Sequence, residues 1–313
     1  MARIPRTDLD VFPFCLGGNV FGWTADEKAS FQVLDRYYGA GGNFVDTADV
    51  YSAWVPGHAG GESETIIGRW MAARGTRGRM VIATKVGMLS GLKGLGPQTI
   101  RAAADASLRR LGIETIDLYY AHADDPDTPL EDTLRAFDGL VKEGKVRHIA
   151  ASNYTAPRLA EALALSDRHG LARYVTIQPH YNLVHRREYE GALGDLCARE
   201  RVGCVPYYGI ARGFLTGKYR PGTEVDSPRA SGARVYLNDQ GLRVLTVLDE
   251  IAAAHSTPMA GVALAWIAAQ PTVIAPIASA RSIEQLAELL PVATLRLTDE
   301  EVARLDAVSS GGE

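Results

Sequence analysis

Apolar runs rich in Val, Ile, Phe and Tyr alternate with longer segments of helical spacing along nearly the whole chain. Eight runs read as strands: residues 14–17, 43–46, 80–85, 116–122, 146–152, 174–179, 203–207 and 273–278. The intervening segments repeat their large apolar residues at helical intervals, as in Leu130, Leu134, Phe137, Leu140 and Val141, in Leu159 and Leu163, or in Ile283, Leu286 and Leu290. Capping boxes are predicted at Thr24 with Glu27, Thr128 with Glu131 (Pro129 taking the first helical position), Ser282 with Gln285, and Thr298 with Glu301. Gly39, Gly112, Gly144 and Gly170 punctuate helix ends or the turns after them.

Strands apolar on both faces and separated by helices predict a parallel sheet covered by helices. Eight such units favour an α/β fold of the (β/α)8 TIM-barrel type, one domain over residues 1–313. An open doubly wound sheet competes on pattern alone, but no G-x-G-x-x-G follows a strand. The run from Gly91 to Gly96 has the wrong glycine spacing, and Gly217-Lys218 lacks the upstream glycine of a P-loop. Residues 3–13 precede the first strand and are expected to form a hairpin closing the barrel's N-terminal end.

Composition narrows the function classes. The chain of 313 residues is 46% hydrophobic, enough for a large core, and its formal charge of −4 gives no argument for nucleic acid or membrane partners. No apolar run reaches bilayer length, and Met1–Arg6 lacks the hydrophobic stretch of a secretory signal, so a cytoplasmic location is expected. Cys15, Cys197 and Cys204 are too few and too irregularly spaced for a disulfide framework. His180 and His185 belong to no cluster with metal-site spacing, so no metal is expected; the partner is a small molecule, and oligomeric state is not readable.

The chemistry collects at strand ends. Asp46 and Lys85 end the second and third runs, His122 ends the fourth, and Tyr51 follows the second. Any one of these is commonly a turn former or a satisfied core group; their occurrence on three consecutive strands is what points to a site. In a barrel, catalytic groups lie at the C-terminal ends of the strands. A phenol ionises near 10; an adjacent ammonium is expected to lower that value, and a carboxylate keeps the ammonium charged and oriented. With a histidine to orient a carbonyl, such a group protonates an alkoxide as it forms, or removes an alcohol proton in reverse. No nucleophilic Ser or Cys accompanies it, so a hydride partner, a nicotinamide cofactor, is implied.

Several segments resemble signatures of the aldo-keto reductase superfamily: Gly42–Tyr51, Ala83-Thr84-Lys85 and Asp117–His122. Glu143–Asn153, Gln178–Asn182 and Gly213–Tyr219 extend the resemblance, in order, over almost the entire chain. It implies a (β/α)8 barrel binding NADP(H) in an extended pose without a Rossmann fold. It further implies Tyr51 as general acid/base, Lys85 and Asp46 tuning it, and His122 orienting the carbonyl.

Cofactor positions carry over from the same resemblance. Ser152, Asn153 and Gln178 match residues that hold the nicotinamide carboxamide, and Tyr207 matches the aromatic stacked on its ring. Where the family usually has Ser-Pro-Leu the chain has Tyr208-Gly209-Ile210, which changes the side chains available to the pyrophosphate. Arg212, Gly213, Leu215 and Lys218 lie in the loop expected along that group, with a solvated surface position as the alternative for Lys218. At the last strand, Ala278-Ser279-Ala280-Arg281-Ser282 stands where the family more usually has Pro-Gly-Ala-Arg-Ser. Ser279 is carried over as a cofactor position, Gln285 and Glu288 match adenosine-side contacts, and Arg281 suits a 2′-phosphate through paired charge-assisted bonds. Ser282 opens a helix whose N-terminus favours anions, and Leu289 stands where the family commonly has Asn. NADP(H) is therefore expected, with NAD(H) the alternative.

The long loop after Tyr51 holds Trp54, and the loop after strand one holds Trp23; both are expected at the substrate pocket, either as an apolar or sugar-stacking wall or as packing for the loops themselves. Residues 220–241 form either a lid or a surface excursion. The leading expectation is an NADP(H)-dependent reductase of aldehydes or ketones, or its reverse on sugar or secondary alcohols. Two readings compete: a non-catalytic nucleotide-sensing subunit, and a Schiff-base aldolase using Lys85.

Overall fold

In the computed structural model, which describes residues 1–310, the alternation closes into a barrel. Residues 311–313, the end of the expected domain, lie outside the described residues. A short antiparallel pair, β1 (Ala2–Arg3) and β2 (Asp10–Val11), comes first. The barrel strands follow: β3 (Cys15–Gly17), β4 (Phe44–Asp46), β5 (Val81–Val86), β6 (Ile116–Ala121), β7 (Val146–Ser152), β8 (Tyr174–Gln178), β9 (Gly203–Cys204) and β10 (Ile277–Ala278). They run parallel in the spatial order β10-β3-β4-β5-β6-β7-β8-β9. The remaining seam closes between β9 and the approach to β10, through a bridge of Cys204 to Val273 and the bond from Ile277 N to Pro206 O at 2.9 Å.

The helices are α1 (Glu27–Gly39), α2 (Glu62–Arg74), α3 (Pro97–Leu111), α4 (Leu130–Lys142), α5 (Ala156–His169) and α6 (Ala192–Glu200). After β9 come α7 (Ala230–Arg234), α8 (Asp239–Ala254) and α9 (Met259–Ala268), and after β10 come α10 (Ile283–Leu289) and α11 (Asp299–Ser309). The spacing read from the sequence explains their packing: Leu130, Leu134, Phe137 and Leu140 of α4 are all buried on one face. Helices α8 and α11 pack on each other outside the eight-unit alternation. No single helix among the described residues is long and apolar enough to cross a membrane.

Of the four expected capping boxes, Thr298–Glu301 forms in full. Ser282 caps α10, but Gln285 Oε1 accepts from Arg281 N instead of returning to Ser282. Helix α1 is capped by Asp26, not Thr24, and Glu27 is drawn off to Arg69. Thr128 donates to Asp125 at 2.7 Å, and α4 starts after Pro129 without a side-chain cap. In the first failure Asp26 takes the cap position, and in the second the Thr128 hydroxyl is engaged with the Asp125 carboxylate.

Two apolar cores result, one between barrel and helices and one inside the barrel. Ile4, Leu9 and Val11 of the N-terminal hairpin belong to the inner core, packed with Phe44, Leu118 and Val205. The hairpin is thus the expected plug, each of these side chains contributing about 2 kcal/mol of burial. Beside it, the buried Asp117 carboxylate accepts from Arg77 Nη1 at 2.8 Å, Arg147 Nη1 at 2.8 Å and Ile82 N at 2.9 Å. Arg147 and His148 also reach Asp8 of the hairpin. Asp117→Ala strands these donors and is expected to cost about 3 kcal/mol, read as a lower denaturant midpoint at unchanged slope.

Candidate active site

Asp46, Lys85 and His122 stand at the C-terminal ends of β4, β5 and β6 because strand pairing puts them there: Asp46 pairs with Ala83, and Lys85 with Tyr120. Tyr51 returns from the following loop. The Lys85 ammonium, wholly buried, donates to Asp46 Oδ2, Thr47 O and the Tyr51 hydroxyl, each at 2.8 Å. The Tyr51 hydroxyl in turn donates to Asp46 Oδ2 at 3.0 Å. The four expected residues are therefore brought together, with the His122 and Tyr51 rings 6.1 Å apart between centroids.

The electrostatics differ from the expectation at Tyr51. Burial first, then the facing Asp46 carboxylate, push its phenol well above the ordinary range, so the resting group is a neutral acid. The net direction at Tyr51 is thus upward, against the lowering expected from the adjacent Lys85 ammonium. Burial pulls the Lys85 ammonium itself down, while Asp46 pulls it back up. His122 is pushed well below the ordinary imidazole range by burial and by the Lys85 charge, so its ring is neutral. Its Nδ1 is buried with no hydrogen-bond partner.

A cavity of about 530 Å³ opens over this group. Tyr51, His122, Val50, Trp54 and Met88 line one side, and Ser152, Asn153, Gln178, Tyr207, Tyr208 and Gly209 another. Ile210, Arg212, Arg229 and Ser279 line both it and a second cavity of about 250 Å³, so the two form one groove. The outer part is lined by Gly213, Lys218, Arg281, Gln285 and Glu288, as expected, and by Ser227, Pro228 and Arg229 of the 220–241 segment. Lys218 is pushed down first by burial and then by the charge of Arg281, with Glu288 opposing the shift.

Two expected positions fall elsewhere. Leu215 is wholly buried in the outer core and lines neither cavity; only its backbone belongs to the turn, its N–H donating to Ile210 O at 3.3 Å. Trp23 lines the outer groove and not the catalytic cavity, its ring packed edge-on against Trp54 at 5.5 Å. Trp54 does line the catalytic cavity, 48% exposed, beside Met88 at 49%.

The amide side chains are tied to one another. Gln178 Nε2 donates to Asp46 Oδ1 at 2.9 Å, so Gln178 orients the carboxylate that holds Lys85. Asn153 Nδ2 donates to His122 O and Ser152 Oγ, and its Oδ1 accepts from the Tyr207 hydroxyl at 2.9 Å. Tyr208, Ala211 and Arg212 have left-handed backbones at φ of 56°, 48° and 58°. Such strain in non-glycine residues is characteristic of ligand loops. The turn is closely packed at Gly209, where a Cβ would lie 2.7 Å from Leu264 Cδ2 and 3.2 Å from Ile277 O.

Asn19 and Arg229 were not legible as site residues. Asn19 accepts from Ser279 Oγ at 2.6 Å within the catalytic cavity; its only signal is its place two residues past β3. Arg229 holds its guanidinium 5.6 Å from the Trp23 ring centroid, and burial pushes its pKa down, with Tyr208 and Tyr51 facing it. Its signal was a cation within the segment read as either a lid or a surface excursion.

Comparison with known proteins agrees with this geometry. The Aldo/keto reductase family profile matches residues 13–310. The chain is 31% identical to norsolorinic acid reductase B of Aspergillus parasiticus, over 96% of this chain and 82% of that one. It is 31% identical to protein tas of Escherichia coli, over 98% and 96%, and 33% identical to the uncharacterized oxidoreductase YrpG of Bacillus subtilis, over 96% and 92%. The chain belongs to the aldo/keto reductase family, a family of oxidoreductases on a (β/α)8 barrel.

Proposed function

We propose that the protein is an NADP(H)-dependent reductase of aldehyde or ketone carbonyls, able to run in reverse on alcohols, with Tyr51 as its general acid/base. The observation that carries the reading is the phenol of Tyr51 held by Lys85 and Asp46 at one end of a groove whose other end gathers Lys218 and Arg281, with Arg212 and Arg229 between. A bound nicotinamide cofactor supplies or accepts the hydride.

Tyr51, neutral at rest, gives its proton to the carbonyl oxygen as negative charge builds there. Lys85 Nζ already donates to that phenol oxygen at 2.8 Å, and stabilises the phenolate left behind. Asp46, fixed by Gln178, keeps the ammonium in place. The neutral His122 ring lines the same cavity and donates to the carbonyl oxygen, setting its angle to Tyr51. Val50, Trp54 and Met88 form an apolar wall for the rest of the substrate.

Towards the outer groove, the Tyr207 ring would stack on the nicotinamide, and Arg212 and Arg229, which line both cavities, would hold the pyrophosphate. Arg281 and Lys218 would hold the 2′-phosphate, whose charge would offset the effect of one cation on the other. The bonds of Lys85 count against a Schiff-base aldolase, because Asp46, Thr47 O and Tyr51 occupy its ammonium hydrogens. The intact proton-transfer group counts against a purely sensing role.

Tyr51→Phe is expected to lower NADPH-dependent carbonyl reduction by about 10²–10⁴ while NADPH still binds, measured by a panel of aldehydes with direct cofactor titration. Equal activity in the variant excludes the phenol as acid; an inactive wild type that binds NADPH favours the sensing subunit. Arg281→Ala is expected to weaken NADPH by roughly tenfold and leave NADH nearly unchanged, as the loss of one charge-assisted contact requires. Equal loss for both cofactors removes the 2′-phosphate role. Because the pKa of His122 lies well below the ordinary imidazole value, its ring stays neutral as pH falls through about 6.5. Nitrogen NMR of His122 checks this directly, and a charged ring at pH 6 would contradict it.

A further inference from the structure

The Tyr207 ring, which lines the inner cavity, is stacked against a second ring. His180 stacks on it at 5.4 Å between centroids and 17° between planes, and His185 stacks on His180 at 3.7 Å and 13°. Three flat rings thus run as a column from the catalytic cavity towards the surface, where His185 Nε2 lies 3.3 Å from Glu188.

The column is built into the barrel. A parallel bridge pairs His180 with Tyr207, and Tyr207 N donates to Pro179 O at 2.9 Å, so the two side chains emerge side by side from neighbouring strands. The imidazole of His180 is fixed in the plane as well. Its Nε2 accepts from Asn182 Nδ2 at 3.3 Å and meets the Tyr236 hydroxyl at 3.5 Å. With two donors on Nε2, the ring's own proton belongs on Nδ1 and the ring is neutral. Burial, with His185 and Arg212 adding to it, holds its pKa down to about 3.

Both donors lead to the cofactor groove. Asn182 Nδ2 also donates to Tyr208 O at 2.9 Å, in the left-handed turn. Tyr236 follows α7 in the 220–241 segment, which lines the outer groove through Ser227–Arg229. Tyr207 also packs on the inner core, is held at its hydroxyl by Asn153 and meets Tyr208 at its edge. Among its aromatic contacts, the near-parallel face of His180 is the one that lies flat on the ring.

We infer that His180 is a positioning residue for the nicotinamide ring. Backed by His185, it sets the plane of Tyr207 and links that plane to the turn at Tyr208 and to the segment lining the outer groove. The inference rests on the nicotinamide assignment made above, and goes beyond it by naming what orients the stacking ring. A neutral imidazole suits the place, because a charge behind Tyr207 would repel the cationic ring of the oxidised cofactor.

The test compares His180→Leu, which removes the flat ring, with His180→Phe, which keeps the stack and loses Nε2. His180→Leu is expected to weaken NADPH and NADP⁺ binding and to lower kcat, each by roughly three- to tenfold, the worth of one aromatic pair, with the KM for the carbonyl substrate nearly unchanged. His180→Phe is expected to restore most of the kcat. Wild-type cofactor binding with normal kcat in His180→Leu, or equal losses in the two variants, would overturn the role. Should His180→Leu fail to fold, His185→Leu, at the half-exposed outer layer, decides: a smaller kcat loss in the same direction is expected, and an unchanged kcat and cofactor Kd would overturn the inference. A wild type that binds neither nicotinamide cofactor instead removes the assignment on which the inference rests.

Discussion

The buried pair of Lys85 and Asp46 is the interaction on which the rest of the site depends. An ammonium inside a barrel is costly unless it is paired and its hydrogens are all used. Here Asp46, Thr47 O and the Tyr51 hydroxyl use them, and the Asp46 carboxylate is completed by Gln178. The pair thereby joins β4, β5 and β8 across the barrel mouth and leaves one direction for the Tyr51 hydroxyl. A buried ion pair is weak evidence for stability, so the role argued for this one is chemical.

The same logic extends outward along the groove. Neutral groups surround the place where charge must develop: the protonated Tyr51, the uncharged His122 and the aromatic face of Tyr207. Fixed cations lie further out, where phosphate is expected. Between them the left-handed residues Tyr208, Ala211 and Arg212 turn the chain sharply enough for Arg212 to line both cavities, its guanidinium 4.7 Å from the Tyr208 ring centroid. The strain is located where two regions of different polarity meet.

The barrel and the candidate group at its strand ends were legible in the sequence for one physical reason. A residue's place at a strand end follows from local periodicity, and the parallel barrel fixes that all such ends face the same way. Asp46, Lys85 and His122 needed nothing more. Leu215, Trp23, Arg229 and Gln178 depended on longer-range packing. Leu215 turns into the core, Trp23 leans on Trp54 away from the substrate side, Arg229 enters from a strap, and Gln178 reaches Asp46 across the barrel. Likewise Thr24 and Thr128 had the right spacing for caps, yet neighbouring Asp26 and Asp125 took those hydrogen bonds or the cap position.

The central claim, that the Lys85 ammonium stabilises the Tyr51 phenolate formed as the carbonyl is protonated, is tested most directly by Lys85→Met in purified enzyme. NADPH affinity by titration is expected to stay within about twofold of wild type, while single-turnover carbonyl reduction falls by at least about 10³. A Lys85→Met enzyme that binds NADPH and reduces carbonyls at the wild-type rate would contradict it.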